Sequence, residues 1–180
     1  MLVELTLFIA IGVLVIASIT LGYCLGKSYS VAALHLDCVT QLPTRVAFER
    51  DLDRALSDFQ CVRILLIDLD NFKAVNDAYG HLVGDQILAS VAKNLQAETA
   101  AQGTLYRWGG DEFIVIFNAE SSATTKVDVD IEAFFAATKF TAGEMKMTLS
   151  CSLGWAESTE NDCMAAIFQR ADESLYKHKR

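Results

Sequence analysis

GTLYRWGGDEFIVIF, residues 103–117, reads as two short apolar strands folded about a turn at Gly109-Gly110. Two adjacent glycines supply the positive φ angles that a tight hairpin demands. A second run, VRILLI at 62–67, is apolar on both faces, which is the pattern of a buried central strand, and it ends in Asp68-Leu69-Asp70. From Met145 to Trp155 every second residue is apolar, so this stretch predicts one continuous half-buried strand. Between these lie four patterns of helical period. Val46, Phe48, Leu52 and Leu56 follow Thr44, a candidate N-cap, and Ile87, Leu88, Val91 and Leu95 form a second set. Ile131, Phe134 and Phe135 mark a third, and Met164, Ile167, Phe168, Ala171 and Leu175 a last helix ending in Lys177-His178-Lys179-Arg180. Strands and helices alternating around one sheet predict an α/β or α+β domain.

Composition narrows the function. Of 180 residues 52% are hydrophobic, and 15 Lys and Arg face 23 Asp and Glu, a net charge of −8. An acidic chain has no basic face for non-specific nucleic-acid binding. A nucleotide held here needs specific groups and metal ions to overcome the overall field. A single Pro, ten Gly and no low-complexity run exclude a collagenous or disordered chain. Cys24, Cys38, Cys61, Cys151 and Cys163 are odd in number and lack metal-ligand spacing, so they read as reduced thiols of a cytosolic domain.

The apolar excess concentrates at Leu5–Gly26, 22 residues without a charge. As a helix this stretch spans about 33 Å, enough for a hydrocarbon core of about 30 Å. A signal peptide would carry a basic flank, whereas only Glu4 precedes the stretch. Residues 1–26 are therefore expected to be a single transmembrane helix and 27–36 a short juxtamembrane connector, with 37–180 an acidic soluble domain. Lys27 favours a cytoplasmic C-terminus. Ser18, Gly22 and Gly26 fall four apart, a stripe that would let two such helices approach closely.

The chemistry lies in the acids at strand ends. Asp68 and Asp70 close one strand, and Asp111 and Glu112 follow the glycine turn. Singly, each reads as a solvated turn residue. Together, with no His or Cys beside them, they are hard oxygen donors suited to Mg²⁺ or Mn²⁺, and Lys73 adds a positive charge for a phosphate.

These residues resemble a known family. RWGGDEF (107–113) carries the signature of the GGDEF domains, the diguanylate cyclases. DCVTQLPTR (37–45), IDLDNFKAVNDAYGHLVGD (67–85), LSCSLGWA (149–156) and RADESLYKHK (170–179) follow the family's other motifs in order. The resemblance implies a palm-like fold, a central antiparallel or mixed sheet flanked by helices, as in nucleotidyl cyclases. Two such domains, each holding one GTP, would meet at least transiently as a homodimer and form cyclic di-GMP and two pyrophosphates. It implies that Asp68, the backbone of Leu69 and Asp111 hold two metal ions per GTP. Glu112 would bind metal or help deprotonate the attacking 3′-hydroxyl. Phe72 and Lys73 would meet the phosphates and Lys179 the outer ones. Gly110 would lie where a Cβ would strike the nucleotide, and Asn76 and Asp85 would read guanine. From the residues alone, Asp85 reads equally as a helix N-cap before Ile87 and Asn76 as a solvated helix position.

The chain departs from the family at four places. Gln41 and Thr44 stand where Gly and Asn are usual. Ala100-Ala101-Gln102-Gly103 stands where many members carry an inhibitory RxxD product site, so that site is expected to be absent. The usual Gly-Arg-Asn segment does not follow Lys179. The expected activity is that of a diguanylate cyclase at the bacterial inner membrane with its catalytic domain in the cytoplasm. The alternative is a catalytically silent GGDEF domain acting as a nucleotide receptor or dimeric interaction protein.

Overall fold

A computed structural model describes residues 36–58, 61–117, 124–160 and 162–179, together with Ser18, which is helical. The expected membrane helix, its Gly22 and Gly26, and connector residues 27–35 lie outside the described residues. Among the described residues no helix is long and apolar enough to cross a membrane. The residues from Asp37 onward form one unit. In chain order its elements are α1 (Arg45–Ser57), β1 (Arg63–Leu69), α2 (Phe72–Tyr79), α3 (His81–Thr99), β2 (Gly103–Gly109), β3 (Glu112–Phe117), α4 (Thr124–Ala137), β4 (Phe140–Ala142), β5 (Met145–Met147), β6 (Cys151–Glu157) and α5 (Met164–His178).

The main sheet has the order β2-β3-β1-β6 and every neighbouring pair is antiparallel. β1 is central, as its apolar run predicts, and its two faces feed two cores. Leu65, Ile67 and Leu69 pack with Ile87, Val91 and Leu95 of α3 and Phe135 of α4. Ile64 and Leu66 pack with Phe48 and Leu52 of α1 and Ile167, Ala171 and Leu175 of α5. Alternate residues of one strand thus bury opposite faces under different helices. Gly154 permits the close approach of α5 to β6, since a Cβ there would lie 2.3 Å from the Ala171 carbonyl oxygen.

Three local expectations need correction. The alternation from Met145 to Trp155 is not one strand: β5 pairs with β4 in a separate two-stranded sheet, and β6 begins at Cys151. The alternation reports which side faces the core, and that side is preserved while the hydrogen-bonding partner changes. In the hairpin turn only Gly110 has positive φ, at 50°; Gly109 still belongs to β2, where the register slips between Arg107 and Gly109. Thr44 does occupy the N-cap of α1, but its side chain makes no capping hydrogen bond.

Gln41 takes φ 58°, the left-handed conformation that suits the glycine usual at this position. Its amide compensates by donating to the Cys38 carbonyl at 3.0 Å.

Candidate functional site

The end of β1 and the turn between β2 and β3 bring the acids together. Register places Asp68 directly opposite Glu112, so both side chains stand on the face covered by α5. The Leu69 N–H donates to the Asp111 carbonyl at 3.2 Å, tying the turn to the strand end. Asp70 is held differently. Its N–H donates to the Ser150 carbonyl, and its carboxylate accepts from Ser152 Oγ at 2.7 Å, which directs it toward β6. From the C-cap position just past α5, Lys179 Nζ reaches Asp68 Oδ2 at 2.9 Å.

The charges strain against one another. Burial pushes the Asp68 carboxyl above its ordinary range; Lys179 opposes this, and Asp111 and Asp70 add to it. Burial likewise raises Glu112, with Asp68 and Asp111 reinforcing the shift. Lys179 is raised chiefly by its hydrogen bond to Asp68. Burial and mutual repulsion thus both disfavour the two carboxylates, and the Lys179 ammonium relieves only Asp68 by direct contact.

On the other side of the turn lies an open cleft of about 690 Å³, lined by Phe72, Lys73, Asn76, Asp85, Gly110 and Asp111 among others. Asn71, left-handed at φ 55°, turns the chain out of β1 so that α2 starts at once, with Lys73 exposed and the Phe72 side chain buried in the core. Gly80 (φ 82°) separates α2 from α3, which begins at His81. Asp85 is therefore the fifth residue of α3 and not its cap. Asn76 is packed against α3: a Cβ on Gly84 would fall 1.9 Å from Asn76 Oδ1. At Gly110 an added Cβ would meet no protein atom within 4 Å.

The predicted residues thus form two groups that meet at Asp111 and Glu112. Phe72, Lys73, Asn76, Asp85, Gly110 and Asp111 line the cleft. Glu112 and Lys179 line a neighbouring hollow of about 400 Å³ with Asp172 of α5. Sequence reasoning missed the cleft's inner wall. Arg107 is 8% exposed, its guanidinium lies 4.8 Å from the Phe113 ring centroid, and its Nη1 has no hydrogen-bond partner. Burial lowers its pKa, while Asp37, Asp111, Asp85 and Glu112 resist that shift. Trp108 beside it is held between the Arg45 guanidinium at 4.3 Å and the Phe168 ring at 4.4 Å. The signal was present: Arg107 falls on the core-facing parity of β2, where a charge is out of place.

Among the described residues no three acidic, His or Cys side chains converge on one point. The described residues by themselves therefore supply no complete cage. The donor set suits an ion that takes one or two carboxylates and completes its octahedron with phosphate oxygens and water, as Mg²⁺ does.

Residues 34–180 match the family described as "Diguanylate cyclase, GGDEF domain". The chain belongs to the GGDEF family. It is 34% identical over 148 residues to the diguanylate cyclase VdcA of Vibrio cholerae, an alignment covering 79% of this chain and 43% of that protein. It is 36% identical over 146 residues to the cyclic di-GMP phosphodiesterase PdeR of Escherichia coli, covering 79% of this chain and 22% of that one. The chain thus spans less than half the length of these relatives. Among solved structures, the coiled coil and GGDEF domain of DgcB from Caulobacter crescentus, in complex with c-di-GMP, superposes with a TM-score of 0.80 at 26% identity, over 93% of this chain and 92% of that one. The α+β architecture, an antiparallel sheet flanked by helices, is that of these GGDEF structures.

Proposed function

We propose that this GGDEF protein is a diguanylate cyclase that condenses two GTP into cyclic di-GMP and two pyrophosphates, each of two copies presenting one GTP to the other. The observation that carries the reading is the facing, half-buried pair Asp68 and Glu112, joined through the turn at Asp111 to a cleft with Lys73 and Asp85 on its wall.

In this reading the Asp85 carboxylate and the Asn76 amide bind guanine. A carboxylate can accept from N1–H and N2–H₂ together, and adenine offers no such paired donors. Phe72 and Lys73 receive the phosphates, Lys179 the outer ones, and Gly110 leaves the room a side chain would fill. Asp68, the Leu69 carbonyl and Asp111 hold two Mg²⁺ or Mn²⁺ ions per site. When bound, such ions lower the pKa of the attacking hydroxyl and offset charge on the leaving pyrophosphate. Glu112, its pKa raised by burial and by Asp68, binds metal or takes the 3′-hydroxyl proton of the nucleotide. The apolar stretch Leu5–Gly26 tethers the domain to the bacterial inner membrane with the site in the cytoplasm, and raises the frequency at which two copies meet.

The decisive experiment incubates the purified full chain with GTP and Mg²⁺ and separates the nucleotides chromatographically. The expected result is cyclic di-GMP with two pyrophosphates per product. GTP that is bound and left unconsumed would overturn this reading in favour of a silent nucleotide receptor.

A further inference from the structure

β6 is an edge strand, with β1 on one side only. Its outward N–H groups need partners, and α5 supplies two of them. Ser174 Oγ accepts the Trp155 N–H at 3.2 Å, and one helical turn later His178 Nδ1 accepts the Leu153 N–H at 3.1 Å. Strand residues two apart and helix residues four apart advance by about the same distance, 6–7 Å, so the helix side chains and strand amides stay in step. With Nδ1 accepting, the proton of a neutral His178 ring sits on Nε2, and that nitrogen lies 2.9 Å from Glu132 Oε1 on α4. His178 therefore joins three elements at the terminal turn of α5.

A terminal helical turn is where fraying concentrates, because its last carbonyls lack intrahelical partners. Lys179 follows immediately, and its N–H still bonds the Leu175 carbonyl at 3.1 Å. Its ammonium must cross to Asp68 from a half-exposed position, a contact that solvent and side-chain entropy weaken unless the backbone beneath is fixed. We propose that His178 is a positioning residue: by binding the Leu153 amide and Glu132 it fixes the end of α5 and so holds Lys179 at Asp68. The inference rests on the cyclase reading only for what Lys179 does with nucleotide. The clamp itself is a statement about this fold.

The test uses full-length protein and affinity for a non-hydrolysable GTP analogue with Mg²⁺, with amide hydrogen exchange at Leu153 as a second readout. His178→Ala should speed exchange at Leu153 and weaken the analogue by about tenfold, the worth of one charge-assisted hydrogen bond. His178→Asn, whose Oδ1 replaces Nδ1 as acceptor, should restore slow exchange and most of the affinity. Combined with Lys179→Ala, His178→Ala should cost nothing further, since both act through one ammonium. Additive losses, or an unchanged affinity in His178→Ala while Lys179→Ala binds weakly, would overturn the proposal. If Lys179→Ala itself binds the analogue normally, the assignment of Lys179 to phosphate fails instead, and exchange at Leu153 still reports on the clamp.

Discussion

Asp68 and Glu112 face each other across the β1–β3 ladder, two carboxylates at the end of a strand pair whose remaining members are almost wholly apolar. Like charges directly opposed on a sheet are destabilising, so the fold tolerates this pair for a reason other than stability.

Glu112→Gln should therefore stabilise the protein while ending product formation. Its pKa is raised in the folded state, so the folded state favours the neutral form. The stability this confers is complete below the ordinary carboxylate range and is lost as pH rises through the elevated folded value. At neutral pH the ionised Glu112 is a liability that the amide removes. Thermal melts at pH 7 should show a higher Tm for Glu112→Gln. Added Mg²⁺ should raise the Tm of the wild type more than that of the variant, because an ion that binds only the folded state stabilises it by mass action.

Asp85 lies inside α3 and does not cap it, so replacing it should leave the helix intact. Asp85→Ser removes the charged acceptor for guanine, and selectivity for GTP over ATP should fall by about tenfold or more. Competition between the two nucleotides measures this directly. Unchanged selectivity with normal folding would remove Asp85 from the base site.

Gly84→Ala probes Asn76 without touching it. The new Cβ would fall 1.9 Å from Asn76 Oδ1, the far end of a flexible side chain, so the amide should swing away at small cost to the fold. Alanine is also the better helix former, by about 1 kcal/mol. The expected outcome is a Tm within a few degrees of wild type and a raised KM for GTP. A fall in Tm with KM unchanged would show that Asn76 serves packing.

If each copy binds one GTP, activity per molecule should rise with protein concentration before it saturates. Large residues at Gly22 and Gly26 should lower the activity of the full chain in membranes, where close helix approach would otherwise favour encounter. With Gly103 and Ala100 in place of a charged pair, turnover should also continue as product accumulates. Progress curves at several enzyme concentrations test all three expectations.

The fold was legible where side-chain pattern and backbone geometry coincide. VRILLI carries the mark of a strand buried on both faces, and the spacing of Ile167, Ala171 and Leu175 that of a helix with one apolar face, and both are found. It was illegible where the pattern outlasts the geometry: Met145 to Trp155 keeps its alternation through Thr148, Leu149 and Ser150, although the ladder ends at Met147 and resumes at Cys151. The site was half legible. Asp68 and Glu112 stand out as acids at strand ends, but their opposition depends on a register that no local signal sets. Asp70 resembles Asp68 in sequence and differs from it in role, because Ser152 on a strand 82 residues away claims its carboxylate. The start of α3 was written in Gly80, whose left-handed φ forces the break that makes Asp85 an interior helix residue.

The two borders of the main sheet are both occupied. On β2, the Arg107 N–H donates to the Pro43 carbonyl at 2.8 Å, and Thr44 bridges the strand. On β6, Leu153 and Trp155 are taken by α5. A neighbouring chain seeking to add a strand would have to displace these bonds first, so the sheet resists growing into a polymer. Crowded molecules of this protein can then collide often without their sheets fusing, which leaves the open cleft free for the two-copy encounter proposed above.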